Sequence, residues 1–205
     1  MAEHDNERMV LFSDAVIAIT ITLLVLELRL PGPAAEMSDA QLWSSIVEML
    51  PNLLAYMLSF AVIGTFWIGH KRAFSHIDRS DGVLTWINLL FLMALGLMPF
   101  LTGILAENDG AVGTSLYAGL IAITSLLLGS ITVYAERAGL ANQTSKRRPI
   151  WAGYINAIVF GLSIPLAFVN ADLAKYFWIL LVPLGIFSGR YRREAKRQSV
   201  HLAER

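Results

Sequence analysis

The 205-residue sequence contains no cysteine and only 16% charged residues. The first absence excludes disulfides and thiolate metal sites. The second sets the chain apart from ordinary soluble domains, in which about a quarter of residues carry charge. Its four histidines, His4, His70, His76 and His201, include no i, i+4 pair of the kind that presents two imidazoles to one zinc ion, so no metal ligand set is expected. There is no phosphate-cradling glycine loop, dinucleotide fingerprint or nucleophile elbow, and hence no ground for an enzyme. A T-V-G-Y-G stretch is absent too, which excludes the carbonyl-lined filter of the usual potassium channels.

What is abundant is apolar surface. Hydrophobic residues make up 56% of the chain, and its mean hydropathy is +0.57. That is too apolar for a soluble domain and too long for a single anchor, so an all-α integral membrane protein is expected. Hydrophobic stretches long enough to cross a bilayer fall at about 9–30, 42–69, 83–106, 112–135, 150–170 and 173–189, making one six-helix domain over 1–205. The last stretch is short and carries Pro183, which removes a helical hydrogen bond. Glu3, Asp5 and Glu7 precede the first run where a signal peptide would be basic, so that run is expected to stay as the first span.

Charge orients the spans. Fourteen of the 16 basic residues lie in the N-terminal segment, the second and fourth loops and the tail, leaving Arg29 and Lys175 for the other side. Both termini are therefore expected in the cytoplasm. The basic tail from Arg190 onward reads as a topogenic segment meeting anionic lipid, and no nucleic-acid partner is expected. Trp43, Trp67, Trp86, Trp151 and Trp178 fall near span ends, as interfacial anchors do.

The first span carries the densest information. From Met9 to Leu26 its single ionisable residue is Asp14, and a carboxylate at membrane depth is expensive enough that it usually faces protein or water. On a helical wheel centred on Ile19, the residues Phe12, Ala15, Leu23, Leu26 and Leu30 lie within about 40°, Thr22 at about 60° and Asp14 at about 140°. One face is thus an apolar stripe with a hydroxyl beside it, and Asp14 points elsewhere. Trp67 and His70 end the second span and Asn88 enters the third, so topology puts all three at the depth of Asp14. The Ser13 hydroxyl, Trp67 indole, His70 ring and Asn88 amide are suitable donors to a buried carboxylate. Arg8 lies about 120° from Asp14, which disfavours an intrahelical salt bridge.

These residues also carry a resemblance. Arg8, Phe12, Ser13 and Asp14 spell R-x-x-x-F-S-D at the head of a hydrophobic helix, Phe66, Trp67 and His70 spell F-W-x-x-H, and N-L-L-F-L-M-A-L-G-L-M-P-F begins at Asn88. Together they resemble the transmembrane protein 175 family of potassium channels, in its single-repeat prokaryotic form. The resemblance implies a homotetramer with the first helix lining the pore, a preference for potassium, and a structural or gating network of Arg8, Phe12, Ser13, Asp14, Trp67, His70 and Asn88. On that reading Ile19, Leu23 and Leu26 stack as apolar rings, Thr22 offers hydroxyls, and no cofactor is needed beyond the permeant potassium ion. The alternative function is a small proton- or cation-coupled secondary transporter, with Asp14 and His70 as the proton-binding pair.

Overall fold

The computed structural model describes residues 2–30, 32, 33, 35, 37–108, 110–142, 154–170, 173 and 178. All of its regular structure beyond one isolated bridge is helical. The first helix, α1 (Ala2–Leu23), tightens into a 3-10 turn over Leu24–Glu27 and ends where Leu28 turns extended. It therefore stops short of Leu30 as a helix. Its inward residues, Ser13, Ile17, Thr20 and Leu24, are all buried, and their spacing of three to four residues puts them on one face.

The second hydrophobic stretch is broken into two helices. A capping box closes the start of α2 (Asp39–Glu48), with the Gln41 side chain accepting from the Ser38 N–H at 2.9 Å. After Met49 the chain continues as α3 (Leu50–Phe74), with Pro51 in its first turn. Proline lacks an N–H and its ring crowds the carbonyl four residues back, so a continuous helix through Pro51 is disfavoured. The third stretch breaks in the same way: α4 (Gly82–Gly96) passes through Leu97 into α5 (Met98–Glu107), with Pro99 in the first turn of α5. Together α4 and α5 span 26 residues, Gly82–Glu107.

The long α6 (Ala111–Arg137) packs against α3, α4, α5 and the last described helix, α7 (Ile155–Val169). Gly139, with φ of 68°, occupies the left-handed position that ends a helix, and the Leu140 N–H then reaches back to the Ala135 carbonyl at 2.9 Å. This end is tied to the α3–α4 loop: Asp78 N–H donates to Leu140 O at 3.0 Å and Asn142 N–H to His76 O at 2.8 Å. Asn6 reaches the same loop from α1, donating to Ile77 O at 2.9 Å. The start of α1, the end of α3, the start of α4 and the end of α6 consequently meet at one end of the bundle, the end that carries Arg8, Lys71, Arg79 and Arg137.

Among the described residues four helical segments are long and apolar enough to cross a membrane, namely Asn6–Glu27, Leu50–Phe74, Gly82–Glu107 and Ala111–Arg137, and Ala157–Val169 is a shorter apolar helix. The expected sixth span lies outside the described residues except for Leu173 and Trp178. Trp178 is buried against Tyr117 and Phe160, with ring centroids 5.7 Å from each. The core runs through Phe66, Leu84, Phe91, Leu95, Met98 and Ile121, where α4 and α6 pack together.

Candidate functional site

The polar residues near the basic end of the bundle form two separate hydrogen-bonded strands. In the first, the Asn88 amide nitrogen donates to Ser13 Oγ at 2.9 Å, and Ser13 Oγ donates to Met9 O at 2.8 Å. Asn88 Oδ1 lies 2.9 Å from His70 Nε2. Because an amide oxygen can only accept, Nε2 carries the proton in this arrangement. Hydrogen bonding thus runs in one direction, from His70 on α3 through Asn88 on α4 to Ser13 on α1. All three side chains are fully buried, where an unpaired polar group is costly. The imidazole is also clamped between rings, 4.4 Å from Phe74 and 5.4 Å from Phe91 by centroid.

In the second strand, Trp67 Nε1 donates to Asp14 Oδ1 at 2.9 Å, and the Lys71 ammonium lies 5.5 Å from the centroid of the Trp67 ring. Trp67 is 39% exposed. The sequence reading offered Asp14 four donors, and Trp67 is the one that donates to it. The physical reason is angular: Ser13 and Asp14 are neighbours and diverge by about 100° on a helix, as Trp67 and His70 diverge by about 60°. Each pair divides between the core and its margin. Arg8 and Phe12 are both exposed, and neither joins these strands.

The apolar stripe lies on the other side of α1. Ile19 is 58%, Leu23 42% and Leu26 58% exposed. Thr22 is exposed as well, its hydroxyl donating to Ile19 O at 2.7 Å and leaving the oxygen lone pairs outward. Ile17 and Leu24, on the inward face, are 1% and 0% exposed. Within the chain, then, α1 buries one face against α3, α4 and α5 and leaves an apolar face uncovered.

A further polar cluster escaped the sequence reading. Ser59 Oγ and the Tyr117 hydroxyl are 2.8 Å apart, and Thr102 Oγ1 lies 2.7 Å from Ser59 Oγ and 2.8 Å from Met98 O, all buried between α3, α5 and α6. The available signal was that Ser59 precedes His70 by eleven residues, three helical turns, and so shares its inward face. Among the described residues no group of three or more His, Cys, Asp or Glu side chains is placed to hold a metal ion.

Long apolar helices joined by buried cross-helix hydrogen bonds define the class as a multi-pass helical membrane protein. Comparison with known proteins narrows this. The family model for the endosomal/lysosomal potassium channel TMEM175 matches residues 8–99. A potassium channel of Streptomyces collinus is 31% identical over 183 residues, covering 83% of this chain and 86% of its own length. A potassium channel of a Chryseobacterium species is 32% identical over 180 residues, covering 85% and 88%. Among solved structures, the crystal structure of a lysosomal potassium-selective channel TMEM175 homolog from Chamaesiphon minutus matches with a TM-score of 0.76 at 27% identity, covering 90% of this chain and 98% of that one. The chain belongs to the TMEM175 family, a family of cation channels and not of enzymes.

Proposed function

We propose that this chain is a potassium-preferring channel of the prokaryotic cell membrane, in which α1 of four identical subunits lines the pore. The observation that supports this most is the uncovered face of α1: Ile19, Leu23 and Leu26 stand exposed on a helix that buries Ser13, Ile17, Thr20 and Leu24 on its other side. One helix per subunit encloses a pore only around a symmetry axis, which a cyclic ring of four copies joined by heterologous contacts supplies. Around that axis the three side chains stack as apolar rings that resist wetting, and Thr22 presents hydroxyl oxygens to a partly dehydrated ion. The roles assigned to Ser13, Asn88, His70, Asp14 and Trp67 are to fix the rotation of α1 about its own axis, and so to aim the stripe. Arg8 and Phe12, exposed at the start of the same helix, are placed for contact with a neighbouring subunit or lipid.

The proton-coupled transporter finds no support in the hydrogen bonding, since His70 is bonded to Asn88 and Asp14 to Trp67 instead of to each other. Reconstitution into liposomes, with reversal potentials measured in potassium, sodium and proton gradients, tests the proposal. A potassium-selective ohmic current is expected. Saturable uptake coupled to a second solute would overturn it.

A further inference from the structure

The end of α1 away from the basic loops carries two opposite charges, and they are not equivalently placed. Arg29 is exposed and folds back along the chain, its Nε donating to the Leu26 carbonyl at 3.2 Å. Leu26 belongs to the uncovered apolar face, so its backbone carbonyl anchors the guanidinium at the end of the helix segment that carries the stripe. Glu27 is turned the other way. Its carboxylate lies over Gly103 on α5, occupying the space that a Cβ on Gly103 would take, and the 3-10 turn that carries it packs on α5. Glu27 closes the tight turn over Leu24–Glu27, whereas Arg29 follows the extended Leu28.

We infer that Arg29 forms a ring of positive charge at the outer mouth of the pore and limits the entry of cations from that side. The inference rests on the α1-lined pore proposed above, and on the outward orientation that the basic-residue distribution implies. Four guanidinium groups around an axis lower the local cation concentration, the reverse of the acidic rings that concentrate permeant ions. The Glu27 carboxylates compensate poorly because each is directed into its own subunit. Arg8 is exposed at the opposite end of the helix and acts on ions arriving from the cytoplasm, so the Arg29 effect is confined to inward current.

The test is single-channel recording of the full-length protein in planar bilayers with Arg29→Gln, Arg29→Lys and, as a check on the pore itself, Ile19→Asn. Glutamine keeps a side-chain donor for the Leu26 carbonyl and removes only the charge. At about 10 mM ionic strength, where screening extends about 30 Å, Arg29→Gln is expected to raise inward conductance roughly two- to fivefold and to leave outward conductance unchanged. Near 1 M salt, with a Debye length of about 3 Å, the difference should vanish. Arg29→Lys should behave like the wild type at both concentrations. Three results would overturn the inference: no change with Arg29→Gln at low salt, a change that persists at high salt, which marks a structural effect of the lost guanidinium, or Arg29→Lys matching Arg29→Gln at low salt. If Ile19→Asn still alters selectivity in those cases, the pore proposal survives alone. If Ile19→Asn is also without effect, both fall.

Discussion

Asn88 and Ser13, 75 residues apart in sequence, are joined by an amide-to-hydroxyl hydrogen bond of 2.9 Å in a fully buried setting. Ser13 shares the inward face of α1 with Ile17, Thr20 and Leu24, so the bond joins α4 to that face. The opposite face, with Ile19 and Leu26, is uncovered as a direct consequence of helical geometry.

Ser13→Ala removes the acceptor and leaves the Asn88 amide unpaired in the core. A loss of about 1 to 3 kcal/mol of stability is expected. In a double-mutant cycle with Asn88→Ala the coupling should be about 0.5 to 3 kcal/mol, read from thermal or denaturant unfolding in detergent. Additive losses would show that the bond does not contribute.

Asp14→Asn keeps an acceptor for Trp67 Nε1 and removes the charge, at a site turned away from Ile19. Open probability or oligomer stability should change while the reversal potential in mixed potassium and sodium stays at the wild-type value. A shift in selectivity without a change in gating would put Asp14 in the ion path.

Asp81 caps α4, accepting from the Leu84 N–H at 2.8 Å and from the Tyr134 hydroxyl at 2.7 Å. The backbone N–H and then the hydroxyl hold its carboxyl below its ordinary pKa of 3.8. A folded pKa lower than the unfolded one means that the stabilisation is present above the unfolded value and disappears as pH falls through the folded value. Asp81→Ala should therefore cost about 0.5 to 2 kcal/mol near neutral pH, as for other lost N-caps. The gap in melting temperature from wild type should narrow as the medium is acidified below the ordinary value.

Two glycines on packed helices should respond differently to alanine. At Gly129 a new Cβ would stand 2.9 Å from the Tyr154 ring, whereas at Gly69 it would meet the terminal Leu128 Cδ2 at 2.8 Å. A leucine methyl swings aside by a rotamer change, but an aromatic ring held between α6 and α7 must carry its backbone with it. Gly129→Ala is expected to cost about 1 to 3 kcal/mol, in the range of overpacked cores, and Gly69→Ala less. Melting temperatures of the two variants settle the order.

Much of α1 was legible because a wheel needs only residue spacing: Ile19, Leu23 and Leu26 share an exposed face and Asp14 does not. The depth shared by Asp14, Trp67, His70 and Asn88 followed from the order of spans. Which donor meets which acceptor did not, since the roughly 60° divergence between Trp67 and His70 is set within α3 but their partners are decided by interhelical rotation that no single helix encodes. The breaks before Pro51 and Pro99 were visible as prolines, but hydropathy continues across them and hid the division into α2 and α3 and into α4 and α5. The Ser59, Thr102 and Tyr117 cluster joins three helices through hydroxyls whose partners are 43 and 58 residues distant from Ser59, a pairing that spacing within one helix cannot reveal.

The central claim is that the uncovered face of α1 lines the ion path, and the reversal potential of Ile19→Asn in opposed potassium and sodium gradients tests it most directly. Four converging β-branched side chains exclude water, so the ion that sheds its hydration more readily passes preferentially, and an asparagine ring would supply amide oxygens to both ions. Leu24 is unsuitable as a comparison because it is fully buried. Met93, 62% exposed on α4, serves instead. The account predicts that Ile19→Asn moves the reversal potential toward equal permeability for potassium and sodium, while Met93→Asn keeps the wild-type value. Identical reversal potentials in Ile19→Asn, Met93→Asn and wild type would contradict it.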